Sequence, residues 1–286
     1  MNDKLLSAES HRPEGGPPAN SRILAGAASC GSGALAANVF MLTPDWPAPA
    51  GVRAVCTTRA GGVSAAPYDS MNLGDHVGDD AAHVAANRAI FQHAIGARPV
   101  FLNQVHGTQV IQLEGNSLDG TVADACYTDQ KELACTVMVA DCLPVLFTTA
   151  QGDQVAAAHA GWRGLAGQGG VGILDASVNR LQSKNIMAWL GPCIGPQAFE
   201  VGDEVRAAFK ASDPLAGDCF KPFTSGKWLA DLAGLARLRL RALGITQIYG
   251  NDSSAAWCTL GNASRFFSYR RDRFTGRFAA SIWLEG

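Results

Sequence analysis

No Cys-X-X-Cys pair occurs among the eight cysteines, which stand at 30, 56, 126, 135, 142, 193, 219 and 258. In a chain of 286 residues that excludes a disulfide scaffold and a zinc-finger spacing. Reduced thiols in a cytoplasmic protein are expected, most of them packed as small hydrophobes. No run of 18 apolar residues exists, so no transmembrane helix is expected. Charge is sparse, at 17% of residues with a net of −2. No basic stripe is present, which excludes nucleic acid and an anionic membrane surface as expected partners. Histidine is scarce too: six in all, with no His-X-His pair.

What is present is apolar material, 47% of the chain, enough for one large domain or two small ones. Residues 1–40 differ from the rest. "MNDKLLSAESHRPEGGPPANSR" is polar with clustered Pro and Gly, and "ILAGAASCGSGALAANVF" is rich in small residues. The order does not fit a secretory signal, because a long polar segment precedes the apolar one. A flexible N-terminal extension is expected there, with the domain proper, 41–286, opening at Met41.

From Met41 on, strands and helices alternate. "VRAVCTT" reads as a strand stopped by Gly61-Gly62. Asp79-Asp80 open a helix that Gly96 stops. "PVFLNQVHGTQVIQL" reads as a strand pair or a bent strand. "ACTVMVADCLPVLFTT" is β-rich, broken at Asp141-Cys142 and by Pro144, and "QVAAAHA" is a further strand. After Gly169-Gly170, Val171, Leu174, Val178 and Leu181 fall on one helical face. "IMAWLGPCIG" and "ITQIYG" are strands. "VGDEVRAAFKA" and "WLADLAGLARLRLRALG" are helices, and "RFFSYRRDRFTGRFAASIWLEG" reads as a terminal hairpin. The mixture predicts an α/β or α+β domain with a large sheet.

Three breaks place a metal-binding side chain at the end of an apolar strand: His106 in "NQVHG", Cys142 in "VADCLP" and His159 in "AAHAGWRG". Residues at strand ends are held by the sheet yet can face a cleft. Two imidazoles and a thiolate supply three positions of a tetrahedral zinc site, with the fourth open for water or substrate. Two other readings stand beside it. The three side chains could be separate and locally hydrogen-bonded, or Cys142 could be a nucleophile with either histidine as its base.

The segments "TTRAGGVSAAPYDSMNLGDHVGDD", "NQVHGTQV", "DCLPVLF", "AHAGWRGLAG", "GPCIGPQAFEVGDEV" and "FFSYRRDRFTGRFAASIWL" together resemble the family called peptidoglycan editing factor. It is also called multicopper polyphenol oxidase or laccase-domain protein, and more recently purine nucleoside phosphorylase. The likeness runs from about Leu42 to Leu284, leaving the N-terminal extension outside it. Ala65-Ala66 is a less polar variation that touches nothing catalytic. The resemblance implies a single layered α-β-β-α domain with a large mixed sheet and one metal per chain, held by His106, Cys142 and His159. It implies zinc, with copper as a substitute, and phosphate-dependent cleavage of adenosine, inosine and methylthioadenosine, with deamination of adenosine beside it. The expected partners are a small nucleoside and phosphate, and the expected assembly is a monomer or homodimer.

Arg59 is the first candidate for phosphate, since a guanidinium offers a bidentate fork and Gly61-Gly62 expose N–H groups nearby. Arg163 is its rival, beside a glycine-rich turn, and Trp162 either stacks on a base or packs in the core. Asp141 either protonates the purine, accepts a hydrogen bond from a ligand imidazole, or caps a turn. Asn72 and Gln104 are candidate pocket residues. His76, His83 and His93 read as turn or surface histidines. Tyr269, Arg270 and Arg271 are candidates for closing the cleft. Two further functions remain open: hydrolytic editing of peptidoglycan precursors by a cysteine or a metal, and copper oxidation of phenols. The second meets too few histidines for several copper centres.

Overall fold

Asp80 and Gly96 mark the ends of the longest helix for ordinary physical reasons. The Asp80 side chain accepts the Ala82 N–H, and Gly96 takes the left-handed conformation at φ 67° while its N–H donates to Gln92. These are an N-cap and a glycine stop, in the place the sequence predicts. The computed structural model describes Ile23–Leu24 and residues 41–286. The N-terminal extension lies outside the described residues apart from that dipeptide, which pairs with Met41–Leu42.

In chain order the first elements are β1 (Ile23–Leu24), β2 (Met41–Leu42), β3 (Val52–Thr57), α1 (Ala81–Ile95), β4 (Arg98–Phe101) and β5 (Val110–Gln112). Next come β6 (Ala125–Thr128), β7 (Leu133–Val139), β8 (Leu143–Thr149), β9 (Val155–Ala160), α2 (Trp162–Ala166) and α3 (Ile173–Val178). Then β10 (Ile186–Leu190), β11 (Glu200–Gly202), α4 (Asp203–Ser212), β12 (Phe220–Pro222), β13 (Lys227–Ala230) and α5 (Leu232–Ala242). The last are β14 (Gln247–Gly250), α6 (Tyr269–Asp272) and β15 (Phe278–Leu284).

Two six-stranded sheets carry the fold, in the orders β1-β2-β3-β15-β7-β4 and β14-β10-β8-β9-β6-β5, with a small third sheet β11-β13-β12. Both large sheets are mixed: β4 runs parallel to β7, β10 to β14 and β5 to β6, and the other neighbours are antiparallel. Cys135, Val137 and Val139 of β7 and Phe278, Ala280 and Ile282 of β15 meet Leu146, Ala157 and Trp189 of the second sheet. The intervening Ala134, Met138, Ala279 and Trp283 face outward onto Phe91 and Ile95 of α1. On the far side of the second sheet, Val145, Phe147, Ala156 and Ala158 pack with Leu174, Val205, Leu235 and Leu240 from the helices. The period-two alternation of strand side chains therefore builds four layers, α-β-β-α, as the resemblance implied.

Four expectations fail locally. The last segment is not a hairpin: β15 is a single strand inserted between β3 and β7, preceded by the short helix α6. The helix expected from Trp228 begins only at Leu232, because Asp231 caps it through the Gly234 N–H and Lys227–Ala230 is spent on β13. The stretch 98–112 is not one pair, since β4 and β5 belong to different sheets. Pro144 does not break β8; it lies opposite His159 in the ladder, near the strand start, where a missing N–H is tolerated.

Candidate functional site

The second and third ligand candidates come together because of strand parity. Val155 and Ala157 of β9 face the space between the sheets, so His159, two residues further on, points there too. Cys142 sits in the break between β7 and β8 at the edge of the same layer. His106 follows β4 by five residues, on a loop that returns to the second sheet. His106 has φ 61° and Asp141, the residue before Cys142, has φ 99°. Non-glycine residues adopt this region seldom, and strained backbone clusters at functional sites.

The three side chains converge. The Cys142 Sγ lies 3.6 Å from the His106 Nε2, and the ligand atoms of His106, Cys142 and His159 all lie within 4.8 Å of one another. A tetrahedral zinc with bond lengths of about 2.3 Å to sulfur and 2.0 Å to nitrogen needs an S···N separation of about 3.5 Å. The donor set and its spacing fit such an ion. Among the described residues this is the one group of three or more His, Cys, Asp or Glu that could hold a metal. Gly161 is required beside it: a Cβ there would come within 2.7 Å of the His106 Cδ2 and 3.1 Å of the Cys142 Sγ.

The sequence reading did not single out Asp124, a lone carboxylate that ends the turn before β6. It is fully buried. Its Oδ1 accepts from the His159 Nδ1 at 2.9 Å and the His106 N–H at 2.9 Å. Its Oδ2 accepts from the Gly107 N–H at 2.6 Å and the Val105 N–H at 3.2 Å. The carboxylate thus holds one imidazole by its ring and the other by its backbone, and leaves the Nε2 of His159 free to ligate. Burial pushes the acid up, but the His159 bond and charge and the loop N–H groups outweigh it, and the net is below the ordinary carboxylate value. Burial likewise pushes the Cys142 thiol up, yet the His159 charge and bonds from both imidazoles bring it down to about 6. His159 is lowered by burial but raised by Cys142 and Asp124, to about 9.

The triad lies in a cavity of about 360 Å³, inside the usual range of roughly 300–1,000 Å³ for small-ligand sites. Its apolar walls include Ile194, Phe199 and Leu232, and Trp162 lines it too. Three guanidinium groups line it: Arg163, Arg270 and Arg277. Arg163 stacks on Trp162 at 4.5 Å. His76, read from sequence as a turn histidine, also lines the cavity, as does Tyr269. Arg271 is spent on the Thr259, Leu260 and Phe266 carbonyls.

Other expected residues take different places. Arg59 is not among the residues lining the cavity. Its guanidinium donates to the Asp69 and Ala263 carbonyls, pairs with the Asp69 carboxylate at 3.2 Å and stacks on Phe267. Asn72 is fully buried behind the cavity wall. Gln104 lines the cavity, but its amide is tied to the Met138 backbone by two bonds of 2.8 Å. Asp141 also lines it, with one oxygen on the Thr259 hydroxyl and the other on the Arg270 N–H, both at 2.6 Å. The carboxylate that accepts from a ligand imidazole is Asp124, not Asp141.

Comparison with known proteins gives a consistent result. The family model described as multi-copper polyphenol oxidoreductase laccase matches residues 53–285. The chain is 49% identical over 247 residues to a protein of Pseudomonas aeruginosa named purine nucleoside phosphorylase, covering 85% of this chain and 98% of that one. It is 49% identical over 248 residues to the Escherichia coli purine nucleoside phosphorylase YfiH, with the same two coverages. Among solved structures, the Neisseria meningitidis protein NMB0706 superposes with a TM-score of 0.80 at 48% identity, covering 86% of this chain and 99% of that one. YlmD from Geobacillus stearothermophilus superposes with a TM-score of 0.77 at 32% identity, covering 86% and 96%.

Proposed function

The chain belongs to the multi-copper polyphenol oxidoreductase laccase family, and from that membership we propose that it is a zinc-dependent purine nucleoside phosphorylase that also deaminates adenosine. The relatives' names support the first activity. The observation that carries the reading is the His106–Cys142–His159 triad opening into a cavity with an apolar wall and three arginines.

Zinc held by His106, Cys142 and His159 would supply Lewis acidity at that end of the cavity. The chain's own residues do the rest. Asp124 fixes the tautomer and angle of His159. A guanidinium of the cavity lining holds phosphate, for which its planar fork is suited. Phe199, Ile194 and Leu232 offer the purine an apolar bed. In phosphorolysis a phosphate oxygen bonds to C1′ as the C1′–N9 bond breaks. The electron pair leaves on the purine, which takes the proton that monohydrogen phosphate gives up. In deamination, water adds at C6 and ammonia leaves.

Copper suits the same ligands and binds them more tightly than zinc. Oxidation at several copper centres needs more sites than the one ligand group present among the described residues. A second reading draws on the depressed Cys142 thiol: a cysteine hydrolase, of the kind that edits cell-wall precursors, with His106 or His159 as base.

The test is a product assay on metal-quantified protein given adenosine with and without phosphate, with Cys142→Ser alongside. Adenine and ribose 1-phosphate that depend on phosphate and vanish in the variant are the expected products, with inosine formed independently of phosphate. Nucleoside left intact by fully metallated protein would overturn the reading, and activity that survives a chelator would favour the hydrolase.

A further inference from the structure

Arg277 is the last residue before β15 and differs from the other cavity arginines in how it is held. Its backbone N–H donates to the Asn72 Oδ1 at 2.8 Å, and its carbonyl accepts the Leu73 N–H at 3.0 Å. Asn72 in turn donates to the Asp79 carboxylate at 2.8 Å and the Gly74 carbonyl at 3.1 Å. The aliphatic stem is clamped: a Cβ on Gly74 would approach the Arg277 Cγ to 2.8 Å. At the head, Nη1 donates to the Thr275 and Gly276 carbonyls at 3.1 Å each.

The other edge is open. Among the described residues no acceptor bonds its Nε or Nη2, and no carboxylate forms an ion pair with it. Burial disfavours its charge and holds its pKa below the ordinary guanidinium value, and Cys142 and Asp141 are the negative groups that offset part of that. Both oxygens of Asp141 are already engaged by Thr259 and Arg270. Arg163 is exposed on Trp162. Arg270 gives its Nη1 to the Glu200 carbonyl at 3.1 Å and keeps an open edge as Arg277 does, but its backbone N–H is held by the partly exposed Asp141, whereas Arg277 is seated by the fully buried Asn72. A half-buried guanidinium with a free edge in a cavity is costly unless an anion completes it.

We propose that Arg277, seated by Asn72 and Gly74, is the residue that binds the tetrahedral oxyanion co-substrate beside the metal ligands. This rests on the phosphorylase reading for the identity of the anion. The role expected of Arg59 passes to a residue far along the chain, immediately before the last strand. Phosphate held by the open edge of Arg277 delivers an oxygen to C1′, the C1′–N9 bond breaks, and the phosphate's proton goes to the departing purine.

The experiment measures phosphorolysis of adenosine against phosphate concentration for the metal-loaded wild type, Arg277→Gln, Arg277→Lys and Arg163→Gln. Inorganic phosphate is also titrated calorimetrically into each. Arg277→Gln is expected to raise the KM for phosphate about tenfold or more, with the KM for adenosine changed less than about twofold, as loss of a charge-assisted contact to one substrate requires. Arg277→Lys recovers part of the loss, and metal content stays at that of the wild type. An unchanged phosphate KM in Arg277→Gln, or a rise found in Arg163→Gln instead, overturns the assignment. Should the wild type not cleave nucleosides at all, the phosphorylase reading fails. The titration then decides alone: phosphate binding lost in Arg277→Gln upholds the anion site, and equal binding in both removes it.

Discussion

The Asp124 Oδ1 lies 2.9 Å from the His159 Nδ1, and the same carboxylate accepts the N–H groups of Val105, His106 and Gly107. One buried side chain therefore sets the direction of one ligand and the loop that carries another. Metal affinity at this site is therefore expected to depend on a residue outside the three candidate ligands.

Replacing Asp124 with Asn keeps one oxygen for the imidazole and loses the other acceptor. Zinc affinity is expected to fall about 10–100-fold. Stability is expected to fall by about 1–3 kcal/mol, since partly buried N–H groups of the 105–107 loop lose their acceptor on Asp124. A competition titration against a chelator and a urea melt measure the two effects. Wild-type affinity in the folded variant would show that Asp124 does not orient His159.

Gly161 tests the ligand geometry from the other side. Its Cβ in an alanine variant would press on both His106 and Cys142. Gly161→Ala is expected to lower bound zinc and phosphorolysis at least about tenfold, at a cost of about 1–3 kcal/mol to the fold. Metal analysis of the purified variant reads the first and thermal unfolding the second. Full metal content and full activity would mean that the loop relaxes without moving the ligands.

Metal removal has a signature at the thiols. With zinc bound, Cys142 is expected to resist iodoacetamide, and chelation is expected to expose it. Cys219 is the internal control. Burial and the charges of Asp231, Asp218 and Asp213 hold its thiol up at about 11, so at pH 7.5 only about 1 in 3,000 is thiolate. Its labelling should rise roughly tenfold per pH unit toward pH 10, because a raised pKa keeps the unreactive thiol form dominant until the pH approaches it. Peptide mapping by mass spectrometry follows both. Equal labelling of Cys142 before and after chelation would rule it out as a ligand.

Much of this was legible in the sequence. The α1 boundaries followed from Asp80 and Gly96, and the strands β3, β9 and β10 followed from β-rich apolar runs. Three ligand-type side chains at strand ends mark the candidates for the triad, and the family resemblance implies that they share one site. The illegible part has one physical cause. Asp124, His76 and Arg277 are brought to the site by packing between segments distant in the chain, and nothing local distinguishes them. Asp124 looks like any turn aspartate until His159 is brought to it from 35 residues away. Residues 265–286 carry turn signals that suit a hairpin, but β3 and β7 offer β15 better partners, and strand order is a tertiary outcome. The glycines beside Arg59 are a local pattern that says nothing about which cavity the side chain reaches.

Arg59 and Arg277 therefore make a paired test of local pattern against structure. The Arg59 guanidinium is consumed by two backbone carbonyls, Asp69 and the face of Phe267. The Asp69 carboxylate is half exposed, so that ion pair adds little; the bonds to the Asp69 and Ala263 carbonyls matter more. Arg59→Ala is expected to destabilise the protein by about 1–3 kcal/mol and to leave the KM for phosphate within about twofold of wild type, since a residue outside the cavity contributes no binding energy to the substrate. Urea melts and phosphate-dependent kinetics on the same preparation separate the two. A stable variant with a tenfold higher phosphate KM would return the anion site to Arg59, and would mean that the loop from Thr58 to Gly62 folds over the cavity when substrate is bound.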